Sequence, residues 1–468
     1  RGGRKSTVAT TTEVWHFLRL LYARLGTQYC PECDTRIVPQ TPEAILARVM
    51  RELRGRRVLV TGAGGFLGGA IARRLVERGD SVRSLARDIA AGLEEARARA
   101  IPNPATIAQY VMADESPDVA EAMGGLTRAE RAALPGTETP SEDGELLRYA
   151  EAIRRTMHHE LAINPKVVVF GEDVGRKGGV HLVTEGLQKQ FGNARVFDTS
   201  LSEEGIIGRA VAMAISGLMP VAEIQFRKYA DPATEQLNNT GTMRWRTANR
   251  FAAPMVVRMP GGFGKDVGDP WHSLSDEVRF AHAYGWQVAM PSNAADAVGL
   301  LRAAMRSPNP TIFFEHRSLL MTGDGSARYP GDDYVLPFGK ARVVRDGMDL
   351  TVVSWSAMVH RCDEAAASFG DRVELIDLRT ISPWDREAVL ASVRKTGRCL
   401  IVHEDNMTAG FGAEIAGVLA QEAFWHLDAP VRRLAPMDIP VPYHTVLLEA
   451  VVPGVESIRT EMAALLSM

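Results

Sequence analysis

Four short runs between residues 170 and 273 carry the side chains of this 468-residue chain that could perform chemistry. The runs cover residues 170–175, 198–205, 223–229 and 269–273. The first and third lie at strand ends, the second opens a helix, and the fourth lies in a glycine-rich loop. Loops that follow the carboxyl ends of parallel strands meet at one edge of a sheet. We therefore expect a carboxylate, an amide, an aromatic ring and an imidazole to meet there.

The elements that must position these runs follow an α/β pattern. Apolar runs predict strands at 167–170, 196–197, 221–226, 255–259 and 288–290, and again at 350–354, 373–378 and 399–402. Helical spacing predicts helices at 147–161 and 203–216. Strands that alternate with helices indicate parallel sheets covered on both faces. A second unit of the same kind begins near Lys340.

Residue types alone leave the role of each candidate open. Glu203 could be a first-turn glutamate that stabilises the helix dipole. Tyr229 could be a loop tyrosine, Gln225 an edge-strand amide, Leu201 a core leucine and His272 a surface imidazole. Only their order along the chain, taken together, separates a functional site from these ordinary roles.

That order, over about residues 145–468, resembles the β subunit of thiamine-diphosphate-dependent 2-oxo acid dehydrogenases of the branched-chain and pyruvate type. The runs "GKARVVRDG" and "IDLRTISPWD" extend the resemblance into the last part of the chain. It implies a pyrimidine-binding parallel-sheet domain at 145–330 and a transketolase-C-like α/β domain at 331–468. It also implies oxidative decarboxylation of a 2-oxo acid with acyl transfer to lipoamide. The run "EIQF" favours a branched-chain substrate over pyruvate.

The resemblance assigns roles to five residues at one end of thiamine diphosphate. Glu203 matches the acid that contacts the pyrimidine N1′ nitrogen, for which we expect a raised pKa. Tyr229 matches the aromatic residue that stacks on the pyrimidine ring, and Leu201 and Gln225 match its neighbours. His272 matches the histidine that helps to pass the acyl group to lipoamide.

The resemblance also implies two metal ions. A potassium ion would lie on backbone carbonyls near Met255, Ala304, Ser307 and Asn309. The magnesium ion at the diphosphate end needs hard oxygen ligands, and the start of the usual motif, residues 323–325, has no asparagine at the required distance. We therefore expect an α partner to hold the magnesium in an α2β2 heterotetramer that docks on a lipoyl-bearing acyltransferase core.

Three N-terminal pieces resemble other families. Residues 1–54 resemble a fragment of the excinuclease A subunit, and Cys30 and Cys33 make only half of a zinc knuckle. Residues 55–88 resemble the start of an extended short-chain dehydrogenase or epimerase. Residues 89–144 resemble a linker or the tail of an α subunit. We expect residues 1–144 to be dispensable for folding.

A dinucleotide turn in the second piece supports one alternative function. Gly62, Gly65 and Gly68 would let backbone amides approach an NADP pyrophosphate. The Tyr-x-x-x-Lys pair of that family is absent from the sequence, so NADP binding is not expected. The alternatives are thus an NADP-dependent reductase or epimerase, a DNA-repair interaction module, or a non-functional chimeric chain.

Bulk composition excludes several other classes. The net charge of −3 and the pI of about 6.5 do not indicate a binder of nucleic acid or of a membrane surface. Four cysteines are too few for a disulfide scaffold and are typical of a reducing compartment, so we expect a cytoplasmic protein. No apolar run is long enough to span a bilayer.

Overall fold

The computed structural model describes residues 107–113, 124–264 and 268–468, together with a short antiparallel strand pair, Gln28–Tyr29 (β1) and Arg36–Ile37 (β2). The chain divides into two compact units, Arg1–Ile107 and Ala108–Met468. The cysteine pair at 30 and 33 and the predicted dinucleotide turn with Gly62, Gly65 and Gly68 lie outside the described residues. Within the described parts of the chain, no helix is long and apolar enough to cross a membrane.

A seven-stranded sheet forms the centre of the first domain of the second unit. The strands of this unit are Leu146–Leu147 (β3), Val167–Gly171 (β4), Val196–Asp198 (β5), Met219–Glu223 (β6), Val256–Gly261 (β7), Gln287–Ala289 (β8), Thr311–His316 (β9), Ala327–Arg328 (β10), Arg342–Arg345 (β11), Leu350–Ser354 (β12), Val373–Asp377 (β13), Thr380–Ser382 (β14), Cys399–Val402 (β15) and Arg432–Leu434 (β16). The order of strands in the sheet is β14-β8-β9-β7-β6-β4-β5. These strands are parallel except β14, which comes from the last part of the chain and pairs antiparallel with β8.

Helices cover both faces of this sheet, as the α/β pattern predicts. The α-helices are Arg128–Ala133 (α1), Tyr149–Ile163 (α2), Leu187–Phe191 (α3), Glu203–Ile215 (α4), Thr234–Gly241 (α5), Met243–Arg246 (α6), Val278–Ala281 (α7), Ala294–Arg306 (α8), Arg317–Met321 (α9), Met358–Ala366 (α10), Arg386–Thr396 (α11), Phe411–Glu422 (α12), Thr445–Val451 (α13) and Val455–Leu466 (α14). Short 3₁₀ helices lie at Arg227–Ala233, Ala367–Arg372 and Phe424–His426.

The central strands are buried on both faces, which explains their continuous apolar sequence. Strands β4, β6, β7 and β9 have no exposed residue. One face packs in a cluster with α4, and the other packs in a cluster with α2 and α8. The sequence-predicted strands at 167–170, 350–354 and 399–402 are confirmed, and the others agree to within a few residues. Strands β3, β9, β10, β11, β14 and β16 were not predicted.

A five-stranded sheet, in the order β11-β13-β12-β15-β16, forms the second domain. Only its edge strand β11 is antiparallel to its neighbour. Because β14 joins the sheet of the first domain, the chain after residue 331 contributes to both sheets. The indole Nε1–H of Trp355 donates to Glu277 Oε1 at 2.9 Å, which adds a buried polar contact between the domains.

Residues 124–140 pack against the first domain and are not a free linker. Leu126 is buried. The backbone of Thr137 bonds to residues on either side of Tyr334, and Arg306 donates to the Pro135 carbonyl. Helix α1 in this segment was not predicted, and the expectation that residues up to 144 are dispensable does not account for these contacts.

Candidate active site

The carboxyl ends of β4 and β6 and the loop after β7 bring the predicted residues to one edge of the sheet. Glu172 and Asp173 follow β4, Gln225 follows β6, and His272 lies in the loop between β7 and β8. Glu203 is the first residue of α4, which begins there because the side chain of Ser202 accepts the backbone N–H of Gly205 at 3.3 Å. A parallel sheet exposes this edge, so a ligand can reach it.

Two carboxyl groups at this edge are less acidic than usual. Burial raises the pKa of Glu203, and the charge of Glu204 adds to that effect. Burial raises the pKa of Glu172 to about 7, and the charges of Glu203, Asp173 and Glu223 add to it. A carboxyl group that is half-protonated near neutral pH can both give and take a proton.

An aromatic and imidazole cluster faces these carboxyl groups. Tyr229 Oη lies 2.9 Å from His272 Nε2. The ring of Phe226 lies 4.2 Å from the His272 ring and 5.8 Å from the Tyr229 ring, measured between centroids. Burial raises the pKa of Tyr229, and the charges of Asp269, Glu172 and Glu203 act in the same direction. This electrostatic coupling links the tyrosine to both carboxyl groups.

The remaining two predicted residues of this group have different surroundings. The Gln225 side-chain Nε2–H donates to Asp173 Oδ2 at 2.8 Å, which fixes the amide at the end of β6. Leu201 is 76% exposed. Packing within the described part of the chain therefore does not support the prediction that Leu201 lies beside a bound pyrimidine ring. Trp271, beside His272, is also exposed, at 55%. Two apolar side chains therefore face solvent next to the acidic edge.

A buried cation lies beneath the edge. Arg258 on β7 is fully buried and donates from Nε and Nη2 to Glu315 on β9, at 2.6 and 3.0 Å. Its Nη1 donates to Glu223 at the end of β6, at 3.1 Å. The bidentate pair and the third contact join the neighbouring strands β6, β7 and β9, and the site residues follow the first two of these strands.

The predicted potassium ligands lie near the amino ends of β7 and β9 and at the end of α8, away from the edge that carries Glu203. The Met255 carbonyl, just before β7, accepts the N–H of Thr311 at 2.8 Å, and the Ala304 carbonyl accepts the N–H of Ser307 at 3.2 Å. Ser307 Oγ accepts the N–H of Asn309 at 3.0 Å. These contacts join Met255 to Thr311 and Ser307 to Ala304 and Asn309, and none of them involves Glu203 or His272.

Three residues of the site carried no role in the sequence-based prediction. Glu172 lies in a run that was identified, but nothing local indicates that its carboxyl lies close to Glu203. Asp269 accepts hydrogen bonds from the loop that holds His272. Phe226 precedes a predicted aromatic residue and packs against the imidazole. The available signal was their position just after strand ends or beside a predicted residue.

Comparisons with known proteins agree with this architecture. The family model described as "Transketolase, pyrimidine binding domain" matches residues 146–322, and the model "Transketolase, C-terminal domain" matches residues 339–458. A solved structure described as "Split gene transketolase, inactive beta4 tetramer" aligns with a TM-score of 0.56 at 22% identity. It covers 69% of this chain and 98% of that one, and it supports the fold alone.

Closer relatives share the sequence of both domains. A 2-oxoisovalerate dehydrogenase subunit beta from Pseudomonas aeruginosa is 44% identical over 308 residues, which cover 63% of this chain and 88% of that protein. The corresponding Bacillus subtilis protein is 42% identical, covering 64% and 92%. A pyruvate dehydrogenase E1 component subunit beta from Acholeplasma laidlawii is 42% identical, covering 64% and 91%. With this identity over nearly the whole length of each relative, the chain belongs to the family of 2-oxo acid dehydrogenase β subunits.

Proposed function

We propose that this chain is the β subunit of a dehydrogenase that decarboxylates a branched-chain 2-oxo acid oxidatively and transfers the acyl group to lipoamide. The observation that carries the proposal is the coupling of Glu172 and Glu203 to the Tyr229–His272 pair at the carboxyl edge of the sheet. The names of the Pseudomonas and Bacillus relatives support the branched-chain substrate class.

The residues at this edge suit the pyrimidine end of thiamine diphosphate. When bound, this cofactor supplies the carbon nucleophile for attack on the 2-oxo group. Glu203 would hold a proton at the pyrimidine N1′ nitrogen, and its partial burial favours the protonated carboxyl that such a contact needs. Tyr229 would face the pyrimidine ring, with Gln225 and Leu201 beside it.

His272 would act at the other side of the same space. Its Nε2 atom lies 2.9 Å from the Tyr229 hydroxyl oxygen, and about a third of its side chain is exposed. An imidazole in this position can take a proton from a thiol or an alcohol and return it later. We assign it to proton movement during acyl transfer to lipoamide.

An α subunit would complete the site. The exposed side chains of Leu201 and Trp271 provide an apolar surface beside the acidic edge, which supports a partner at this position. In this proposal the α subunit holds the magnesium ion and the diphosphate in an α2β2 assembly. The assembly docks on a lipoyl-bearing acyltransferase core.

Two finer assignments belong to the same proposal. A potassium ion would use carbonyl oxygens near Met255, Ala304, Ser307 and Asn309. We also propose a cytoplasmic location; the free thiols of Cys362 and Cys399 agree with the low use of disulfides in reducing compartments. NADP has no part in this function.

A substitution that keeps the size and shape of the side chain tests the role of Glu203. In the enzyme reconstituted with an α subunit, Glu203→Gln should lower decarboxylation by at least about 100-fold, because the amide cannot donate the carboxyl proton. The matched control is Glu204→Gln, which makes the same change at the next, exposed residue of α4. Wild-type-like turnover of Glu203→Gln, or an equal loss in both variants, would contradict the assignment.

Calorimetry tests the need for the partner. Thiamine diphosphate and magnesium should bind weakly to this chain alone and tightly after the α subunit is added. Tight, magnesium-dependent binding by the isolated chain would show that it holds the diphosphate without help.

A further inference from the structure

The loop that carries His272 is built around one carboxylate. Asp269 is buried, and its Oδ1 atom accepts the backbone N–H groups of Trp271 at 2.8 Å and His272 at 2.7 Å. This arrangement is the usual way in which an aspartate closes a tight turn. It places the carboxylate and the imidazole of His272 on the same side of the loop.

The same carboxylate also contacts the imidazole ring. His272 Nδ1 lies 3.1 Å from Asp269 Oδ1 and 3.2 Å from Oδ2. The other ring nitrogen, Nε2, lies 2.9 Å from the hydroxyl of Tyr229. The imidazole is therefore held at both nitrogens, in the order Asp269, His272, Tyr229.

A second set of contacts holds the aspartate itself. Its backbone N–H donates to Ser273 Oγ at 3.0 Å, and Arg317 Nη1–H donates to the same hydroxyl at 3.0 Å. Arg317 Nη1 also lies 3.9 Å from Asp269 Oδ2. The guanidinium favours a negative charge on this carboxylate.

The protonation states of Asp269, His272 and Tyr229 follow from the hydrogen bonds that each group can donate or accept. Burial alone would raise the pKa of Asp269, but the hydrogen bonds from the His272 and Trp271 backbone hold the pKa below its ordinary value. An ionised carboxylate can only accept hydrogen bonds, so Nδ1 of His272 must carry the proton that it donates. The Nε2 atom of the neutral imidazole then has a free lone pair, and it accepts a hydrogen bond from the Tyr229 hydroxyl.

We propose that Asp269 is a positioning residue for the reaction: it fixes the Nδ1–H tautomer of His272 and aims the basic Nε2 atom into the site. This inference rests on the proposed function for the role of His272 in turnover. The pair of Asp269 and His272, called the dyad below, belongs to this chain alone and can be tested without any substrate. An aspartate with this arrangement serves a catalytic histidine in hydrolases of unrelated fold.

The substitution Asp269→Asn separates the two roles of the carboxylate, which are to close the turn and to orient the imidazole of His272. The asparagine Oδ1 atom still accepts the two backbone N–H groups, so the turn is kept. Its Nδ2–H group then faces His272 Nδ1 and donates to it, which moves the imidazole proton to Nε2. The matched control is Asp385→Asn, at the N-cap of α11, where the carboxylate also accepts backbone N–H groups but contacts no imidazole among the residues that the structure describes.

The first readout is the tautomer. In the full chain labelled with ¹⁵N-histidine, nitrogen chemical shifts report which ring nitrogen carries the proton, and the His272→Gln variant identifies the signal. We expect Nδ1–H in the wild type and in Asp385→Asn, and Nε2–H in Asp269→Asn. An Nε2–H tautomer in the wild type, or an unchanged tautomer in Asp269→Asn, would overturn the dyad.

The second readout is turnover with an α subunit and lipoamide. Asp269→Asn should lower kcat by about 100-fold or more with little change in KM, at an unchanged urea midpoint. An inverted tautomer with wild-type kcat would overturn the positioning role. If the wild-type assembly itself shows no turnover, the proposed function fails, while the tautomer of Asp269→Asn still supports or refutes the dyad.

Discussion

Replacement of Arg258 by methionine tests whether the buried ion cluster supports the edge of the sheet that carries the site. Arg258 is fully buried and is the only cation within hydrogen-bonding distance of Glu223 and Glu315 in the described part of the chain. Methionine keeps most of the side-chain length and apolar contact. The substitution therefore removes the charge and leaves two buried carboxylates without a partner.

The expected cost is large because the carboxylates cannot move into water. Loss of one partner from a buried ion pair typically lowers the free energy of unfolding by about 3–5 kcal/mol. Burial already raises the pKa of Glu223 although Arg258 opposes that effect, and without the arginine the pKa of Glu223 should rise further.

This rise makes the loss depend on pH. Above the pKa that glutamate has in the unfolded chain, the folded variant would bind more protons than the unfolded chain does. The stability of the variant should therefore fall as the pH rises from the pKa of glutamate in the unfolded chain to the higher pKa in the folded variant. The difference between wild type and Arg258→Met should be larger at pH 8 than at pH 5.5.

Urea denaturation at the two pH values measures this difference. Hydrogen exchange of peptides from β7 and β9 shows whether the loss lies in these strands. The control is Arg154→Met in the same domain, where the ion pair with Glu185 is exposed and should contribute less than about 1 kcal/mol. The double variant Arg258→Met/Glu315→Gln should recover part of the loss. A cost below about 1 kcal/mol for Arg258→Met, or one that is the same at both pH values, would refute the reasoning.

Three further predictions concern stability. Because the pKa of Glu172 is about 7 in the folded chain, Glu172→Gln should stabilise the protein above pH 7 by about 1 kcal/mol after solvent screening and leave it unchanged near pH 4, which thermal unfolding at both pH values checks. Burial and the charge of a nearby aspartate raise the pKa of Glu277 to about 8. Glu277→Gln should therefore cost little at pH 7, whereas Glu277→Ala should cost about 1–3 kcal/mol because the Trp355 indole loses its acceptor; equal urea midpoints would contradict this. A chain that begins at residue 141 should melt earlier than one that begins at residue 124, because residues 124–140 pack on the first domain.

Eight of the fourteen strands described in residues 145–468 could be predicted from local sequence. Strands β4, β12 and β15 are short apolar runs bounded by polar residues, and burial on both faces of a parallel sheet demands that composition. The start of α4 at Glu203 follows from the capping serine before it. Strand β14 escaped prediction because its residues form a strand only by pairing with β8, almost one hundred positions earlier.

The order of the motifs along the chain was enough to identify the family and to select Glu203, Gln225, Tyr229 and His272 as candidates. A motif contains residue types and spacing, and both are local. The contact of His272 with Asp269 is also local, at a separation of three residues, but its meaning depends on the ring being held from the other side by Tyr229.

Only the tertiary structure decided which distant groups meet. Burial raises the pKa of Glu172, and the position of β4 between β5 and β6 adds to the rise because it brings the carboxyl close to Glu203 and Glu223. Arg258 is fully buried because β7 lies between the strands that carry Glu223 and Glu315. Strand order is a property of the whole sheet, set by which faces can be buried together, so the electrostatics of the site could not be read from any single segment of the sequence.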